Sequence, residues 1–223
     1  MEFTAQPVLA GNRVTLEPLR LEHATDLAVA VAAGELWRAW YTAIPRPEAM
    51  AAEIERRLAL AAAGRMLPWG IRLASTGALV GMTTFMNPAD DTPRLEIGST
   101  WLAKSAQGTG ANREAKLLQL GYAFDVLECI AVEFRTHWHN RQSRAAIAAL
   151  GAKQDGVLRS HSVGPDGAVR DTVVFSILRG EWPAVRVGLR ASLEAAAPAR
   201  PGPGRLIHDD GQSAGASAPN ATQ

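Results

Sequence analysis

The residues with the clearest capacity for chemistry form one run, Gln107-Gly108-Thr109-Gly110-Ala111-Asn112. An apolar stretch ending at Trp101-Leu102 and a short polar loop, Ala103-Lys104-Ser105-Ala106, precede it. A long amphipathic stretch follows. A helix start leaves about four backbone N–H groups without intrahelical partners. The helix dipole adds roughly half a positive charge there. Glycines let a ligand come close to those amides. Together these features suit a diphosphate. Other phosphate loops fit poorly. A P-loop needs Gly-Lys-Ser/Thr, but Gly110 is followed by Ala111-Asn112. A dinucleotide fingerprint needs a third glycine where Arg113 stands. An ordinary glycine-rich turn into a structural helix is the plain alternative.

Two polar stripes could move protons. In the strand predicted before the loop, Arg94, Glu96 and Gly98 share one face, and Leu95, Ile97, Ser99 and Trp101 share the other. On a later strand, Glu133, Arg135 and His137 alternate with Val132, Phe134 and Thr136. Polar stripes on inner strands need partners or a wet cleft.

The elements that must position these residues follow from periodicity. Strands are expected at 13–18, 68–74, 78–86, 94–102, 130–138, 152–161 and 168–178. Helices are expected at 22–33, 47–63, 110–127, 140–151 and 181–193. In the third helix Leu117, Leu120, Phe124 and Leu127 form the apolar stripe. Gly34, Gly64 and Gly151 act as stops, and Asn140 is a good helix cap. Gly164-Pro165-Asp166-Gly167 joins the last two strands. A strand–helix–strand unit flanked by hairpins implies an α+β fold. Its mixed, mostly antiparallel sheet has about six or seven strands, with helices on both faces.

The 223 residues favour one domain, at 1–195, with 47% hydrophobic residues to fill its core. Residues 196–223 are rich in Ala, Pro, Gly and Ser and read as a disordered tail. Lys and Arg total 23 against 22 Asp and Glu, which argues against a general nucleic-acid or membrane-surface binder. No stretch approaches the ~18 apolar residues of a membrane span. The start lacks the features of a signal peptide. Cys129 is the only cysteine, so neither an internal disulfide nor a cysteine-based zinc site can form. A cytoplasmic location is expected.

Gln107-x-x-Gly110 resembles the Gln/Arg-x-x-Gly-x-Gly/Ala signature of the GNAT N-acetyltransferase superfamily. Glu96-Ile97-Gly98, Trp101-Leu102 and Glu114-Ala115 look like its RimJ/RimL branch. Asn140-x-x-Ser143, running to Leu150-Gly151-Ala152, resembles that branch's second cofactor motif. Gly11 to Leu19 looks like its first strand. The resemblance covers about residues 8–178.

The resemblance implies the GNAT fold, acetyl-CoA as cosubstrate and no metal. It implies that Gln107, Gly108, Thr109, Gly110, Ala111 and Asn112 hold the diphosphate. Asn112 departs from the usual Gly or Ala. Trp101 and Leu102 would pair with the pantetheine arm. Asn140 and Ser143 would approach the cofactor from the other side, although Asn140 is equally a plain cap. The acceptor would be a primary amine, either a peptide N-terminus or a small molecule. No nucleic acid or membrane partner is expected, and a homodimer is left open.

Transfer to an amine requires the amine to be neutral. An α-amine, with a pKa of about 7.7–8.0, asks less of a base than a lysine near 10.4. Glu96 is the first candidate base, directly or through water, against the alternative of an ion pair with an arginine on a neighbouring strand. His137 is second, against a strand-end surface role. The tyrosine that many GNAT enzymes use as acid aligns with Ile147, leaving Ser143, a water or no specific group to protonate the thiolate. Cys129 lies outside the motif, which favours direct transfer in a ternary complex. Trp37, Trp40 and Tyr41 either line the acceptor cleft or pack the core edge. Three functions are compatible: an N-terminal acetyltransferase, a small-molecule amine acetyltransferase, or a non-catalytic acyl-CoA-binding protein.

Overall fold

The computed structural model describes residues 5–89, 91–164 and 167–196. Most of the expected tail, and Pro165 and Asp166 of the last hairpin, lie outside the described residues. The strands are β1 (Leu9–Ala10), β2 (Val14–Pro18), β3 (Met66–Leu73), β4 (Leu79–Ala89), β5 (Arg94–Leu102), β6 (Ala131–His137), β7 (Lys153–Val163) and β8 (Val169–Leu178). The helices are α1 (Ala24–Ala32), α2 (Met50–Ala62), α3 (Ala111–Gly121), α4 (Arg141–Ala148) and α5 (Trp182–Ala195). This is an α+β fold built on one mixed, mostly antiparallel sheet.

One eight-stranded sheet runs β1-β2-β3-β4-β5-β6-β8-β7. The extra strand relative to expectation is β1, whose two residues are too short to show alternation. Among the described residues only the β5–β6 contact is parallel. It comes from the β5–α3–β6 crossover, since parallel neighbours cannot be joined by a tight turn.

Adjacent residues of a strand face opposite ways. On β4 the Thr83 hydroxyl meets Gln119 of α3, whereas the Thr84 hydroxyl meets Arg57 of α2. The helices α2 and α3 therefore cover opposite faces. Trp69 and Phe85 pack edge to face, and Phe85 stacks on Tyr122 just beyond α3. Leu95, Ile97, Val132 and Phe134 bury the inner strands.

Two expectations need correcting. The helix expected at 110–127 is α-helical only to Gly121, and a π-helical turn covers Tyr122–Val126. Its buried side chains are Ala111, Glu114, Ala115, Lys116, Gln119 and Leu120, while Leu117 is only partly buried. The alternation of β5 also breaks. Met82 pairs with Trp101 but Thr84 pairs with Gly98, so β5 carries one extra residue, a β-bulge. Ser99 takes up the strain with φ of 47°. Past the bulge it is Thr100 that turns toward α3, so Ser99 and Trp101 do not continue the Leu95–Ile97 face.

Candidate active site

The parallel strands part early. β5 and β6 pair only at Arg94–Ala131, Leu95–Val132 and Glu96–Glu133. Beyond that a cleft of about 750 Å³ opens between them. One side is formed by β5 from Ile97 to Leu102, and the other by Phe134, Arg135 and Thr136 of β6. The starts of α3 and α4 form its floor, and the segment after α1 forms its roof.

Backbone contacts fix the α3 entrance. Glu114, nearly buried in the first turn, accepts N–H groups from Asn12 at 3.1 Å, Arg13 at 2.6 Å and Val14 at 2.8 Å. A Cβ on Gly11 would lie 2.5 Å from the Glu114 Oε2, so a larger residue there would have to displace the carboxylate from these amides. The Arg13 guanidinium donates to the Thr109 carbonyl at 3.2 Å and to the Leu193 carbonyl at 3.0 Å. Gln107 Nε2 donates to the Leu102 carbonyl at 2.9 Å, tying the loop to β5. Gly108 and Gly110 have φ of 75° and 88°. Open space surrounds the Cα of Gly108 on the side a Cβ would occupy.

Of the residues expected to hold a cofactor, Trp101, Leu102, Gln107, Gly108, Asn112, Asn140 and Ser143 line the cleft. Thr109, Gly110 and Ala111 do not. Thr109 turns its hydroxyl to the Ala106 carbonyl at 2.8 Å, and Gly110 caps the helix. Asn112 Oδ1 is buried without a protein partner among the described residues. Flipping its amide would present two donors at the helix entrance. The entrance therefore fits coenzyme A: it has positive-φ glycines, an unpartnered amide and open space. Arg38, Lys104, Lys116 and Arg135 on the walls add positive charge.

Asn140 accepts the Ser143 N–H at 3.0 Å, so it caps α4 as well as facing the cleft. Ser143 lies one turn in, beside Ile147. Cys129 is fully buried, and burial pushes its thiol up to about 11. Such a thiol is a poor nucleophile at neutral pH.

The structure separates the two candidate bases. Glu96 is buried one layer behind the cleft wall, between Gly98 and Arg135. Its Oε2 lies 3.7 Å from Arg135 Nε and accepts from Asn87 Nδ2 at 3.2 Å. The arginine contact weighed from the sequence is thus present. Burial nevertheless raises its pKa above the usual glutamate range, against the lowering influence of Arg135 and Asn87. His137 is buried at the end of β6 and its Nδ1 accepts the His139 N–H at 3.0 Å. It packs edge-on to Trp40, 5.2 Å away, and lies outside the cleft lining. Of the three expected aromatics only Tyr41 lines the cleft.

Two groups escaped sequence reasoning. Arg57 of α2 is fully buried, donating to Glu53 and Thr84 at 2.7 Å each. Lys116 of α3 is buried on the cleft wall. Its Nζ donates to Thr83 Oγ1 and Thr100 Oγ1 at 2.8 Å and to Gln119 Oε1 at 3.0 Å. The available signal was the spacing of Asn112, Lys116 and Gln119, at i, i+4 and i+7, which sets three polar side chains on one helix face.

The sheet parts between β5 and β6, with the α3 entrance on one side of the cleft and the segment after α1 on another. Residues 13–153 match the family described as acetyltransferase (GNAT) domain. The chain belongs to this family of N-acetyltransferases. Its RimJ/RimL-like character is supported by a solved relative, Mycobacterium smegmatis RimJ in complex with CoA-disulfide, at 27% identity and TM-score 0.70, covering 83% of this chain and 91% of that one. A candidate acetyltransferase from T. thermophilus shares 38% identity at TM-score 0.74, covering 85% and 98%. A GCN5-related N-acetyltransferase from Brucella melitensis shares 30% identity at TM-score 0.75, covering 85% and 86%. No curated protein sequence matches the chain.

Proposed function

We propose that the protein moves an acetyl group from acetyl-CoA directly to a primary amine at a peptide or protein N-terminus. The observation that carries this reading is the cleft between β5 and β6, which joins the α3 entrance to the segment after α1. Gln107, Gly108 and Asn112 hold the diphosphate, and the parted edge of β5 aligns the pantetheine arm. The solved RimJ relative was captured with a CoA-disulfide, in keeping with this assignment. The cosubstrate supplies an activated thioester.

Glu96 takes the proton of the incoming amine, relayed by water past Arg135. Its raised pKa makes it a stronger base than an exposed glutamate. The bulge at Ser99 turns the backbone so that an amide can face the developing oxyanion, a form of stabilisation that costs no reorganisation during reaction. Arg57 holds the bulge by donating to the Ser99 carbonyl.

Charge bears on the acceptor. Among charged residues the lining carries Glu35 against Arg38, Lys104, Lys116 and Arg135. That balance disfavours polycationic small molecules and favours a single amine followed by neutral or acidic groups. Thiol release from acetyl-CoA with a panel of peptides and small amines tests the reading. Peptides with acidic second residues should react best. The reading is lost if no amine reacts and Glu96→Gln changes nothing. Preference for a polycationic amine would replace it with the small-molecule alternative.

A further inference from the structure

We propose that Lys116 is the proton donor to the sulfur that leaves from the acyl thioester. The proposal rests on the cofactor assignment above and deepens it. The departing sulfur ends the reaction as a thiol and must gain a proton, and the tyrosines and Ile147 do not supply it. Ile147 is apolar. The Tyr122 hydroxyl donates to the Ala5 carbonyl at 2.9 Å, and Tyr41 belongs to the segment over the acceptor side.

Geometry singles out Lys116. It lies on the same face of α3 as Asn112, one turn further in, about 6 Å along the axis. Its ammonium is fastened to Thr100, the residue after the Ser99 bulge. A chain running from the α3 entrance to the bulge must pass it. Its neighbours are neutral: Thr83 on β4, Thr100 on β5, Gln119 on α3, and Asn140, Gln142 and Ser143 of the α4 start across the cleft. Arg38, Lys104, Arg135 and Glu35 share the cleft wall, but burial is the sole cause of its shift. Among the described residues no carboxylate pairs with this buried ammonium. Gln119 Nε2, also buried, has no partner among the described residues.

The energetics suit an acid. Burial lowers the Lys116 pKa to about 7. A thiol of about 8.5, the ordinary cysteine value, takes a proton from such a group downhill. From a lysine near 10.4 the same transfer runs uphill. In the step, the amine nitrogen bonds to the acyl carbon and the carbon–sulfur bond breaks with its electron pair on sulfur. The Lys116 proton joins that pair, the amine's surplus proton goes to Glu96, and solvent recharges Lys116 after the thiol departs.

The chain has three lysines, Lys104, Lys116 and Lys153, so NMR of isotope-labelled lysine side chains resolves this one directly. The probes are coenzyme A and desulfo-coenzyme A, which has hydrogen in place of the thiol. Both should bind by calorimetry, and the Lys116 titration midpoint should differ between the two complexes. Equal midpoints in two saturated complexes overturn the proposal while leaving the cofactor assignment standing. Failure of both to bind removes the assignment and the proposal together. In kinetics, Lys116→Met should lower kcat by about 100-fold or more. KM for acetyl-CoA should stay within about twofold, because only a transition-state interaction is lost. Corrected for neutral acceptor, wild-type kcat/KM should decline above pH about 7, and the variant should not. A variant with wild-type kcat and the same decline overturns the proposal. If the variant does not fold, the wild-type NMR comparison decides alone.

Discussion

The buried guanidinium of Arg57 reaches from α2 to the carbonyl of Ser99, with Nη1 at 3.4 Å and Nη2 at 3.5 Å. These contacts are long, yet they meet the one residue of β5 held at positive φ. The bulge is therefore tied to the opposite face of the sheet from α3. Arg57→Ala removes this tie and the buried partner of Glu53, which keeps its bidentate contact with Arg56. It should cost about 1–3 kcal/mol in denaturant unfolding, the cost of buried hydrogen bonds left unmade. The surviving folded enzyme should also lose kcat, because the oxyanion-facing amide is no longer fixed. Unchanged kcat in a destabilised variant would separate the bulge from catalysis.

Glu114 plays the matching part at the helix entrance. One carboxylate accepts three backbone N–H groups from residues 12–14. Hydrogen bonds to a charged group are worth about 1.5–3 kcal/mol each, and those left unmade in a buried site carry a desolvation cost. Glu114→Ala should destabilise by at least about 3 kcal/mol, with weaker coenzyme A binding as the entrance loosens. A variant with wild-type unfolding would mean the N–H groups find water instead.

Gly110→Asp probes the diphosphate assignment. Gly110 sits at φ of 88° as the cap of α3, a conformation that favours glycine, and aspartate would add negative charge at the entrance. Coenzyme A affinity measured by calorimetry should fall by about 100-fold or more, roughly 3 kcal/mol. A folded variant with unchanged affinity would count against the cofactor site.

Much of this architecture was legible in the residues. Alternation, apolar runs and turn signals located β2 to β8, although the edge strand β7 is mostly exposed. The glycine run marked the α3 entrance, and Asn140 announced the α4 cap. The bulge was not legible. The run Gly98-Ser99-Thr100 has no turn signature, and the bulge becomes visible only when β5 is placed against β4 and Arg57. The burial of Lys116 and Glu114 was not legible for a related reason. Charged residues on a helix ordinarily face water, and only tertiary partners, here Thr83 and Thr100 or the amides of residues 12–14, make burial tolerable. Glu96 was legible as a candidate, but not its place behind Arg135.

Glu96 should reveal itself by pH. Its folded pKa is raised by burial. As the base, it must be ionised, so kcat/KM should fall as pH drops through that raised value. Glu96→Gln should remove this acid limb and lower kcat by about 100-fold or more. Stability gives an independent sign. The folded state binds more protons than the unfolded chain between the two pKa values, so stability falls as pH rises through that window. Glu96→Gln should therefore gain stability over wild type at neutral pH and lose that gain below the unfolded value. An acid limb that persists in the variant would move the base elsewhere.

Lys116 carries the opposite linkage. Its folded pKa of about 7 lies below the ordinary lysine value of 10.5. Between these values the unfolded chain binds the proton and the folded protein does not, so stability must rise with pH across that interval. Fully developed, a shift of that size corresponds to roughly 5 kcal/mol. The burial cost is greatest at pH 7 and below, and it fades toward pH 10. Lys116→Met forfeits three hydrogen bonds at every pH but is spared the titration. The difference in unfolding free energy between wild type and variant should therefore drift in favour of wild type from pH 7 to 10, whatever its offset. Paired urea titrations across that range measure the drift directly. A flat difference would mean that the ammonium stays protonated throughout, and the acid assigned to it would then be too weak to serve the leaving sulfur.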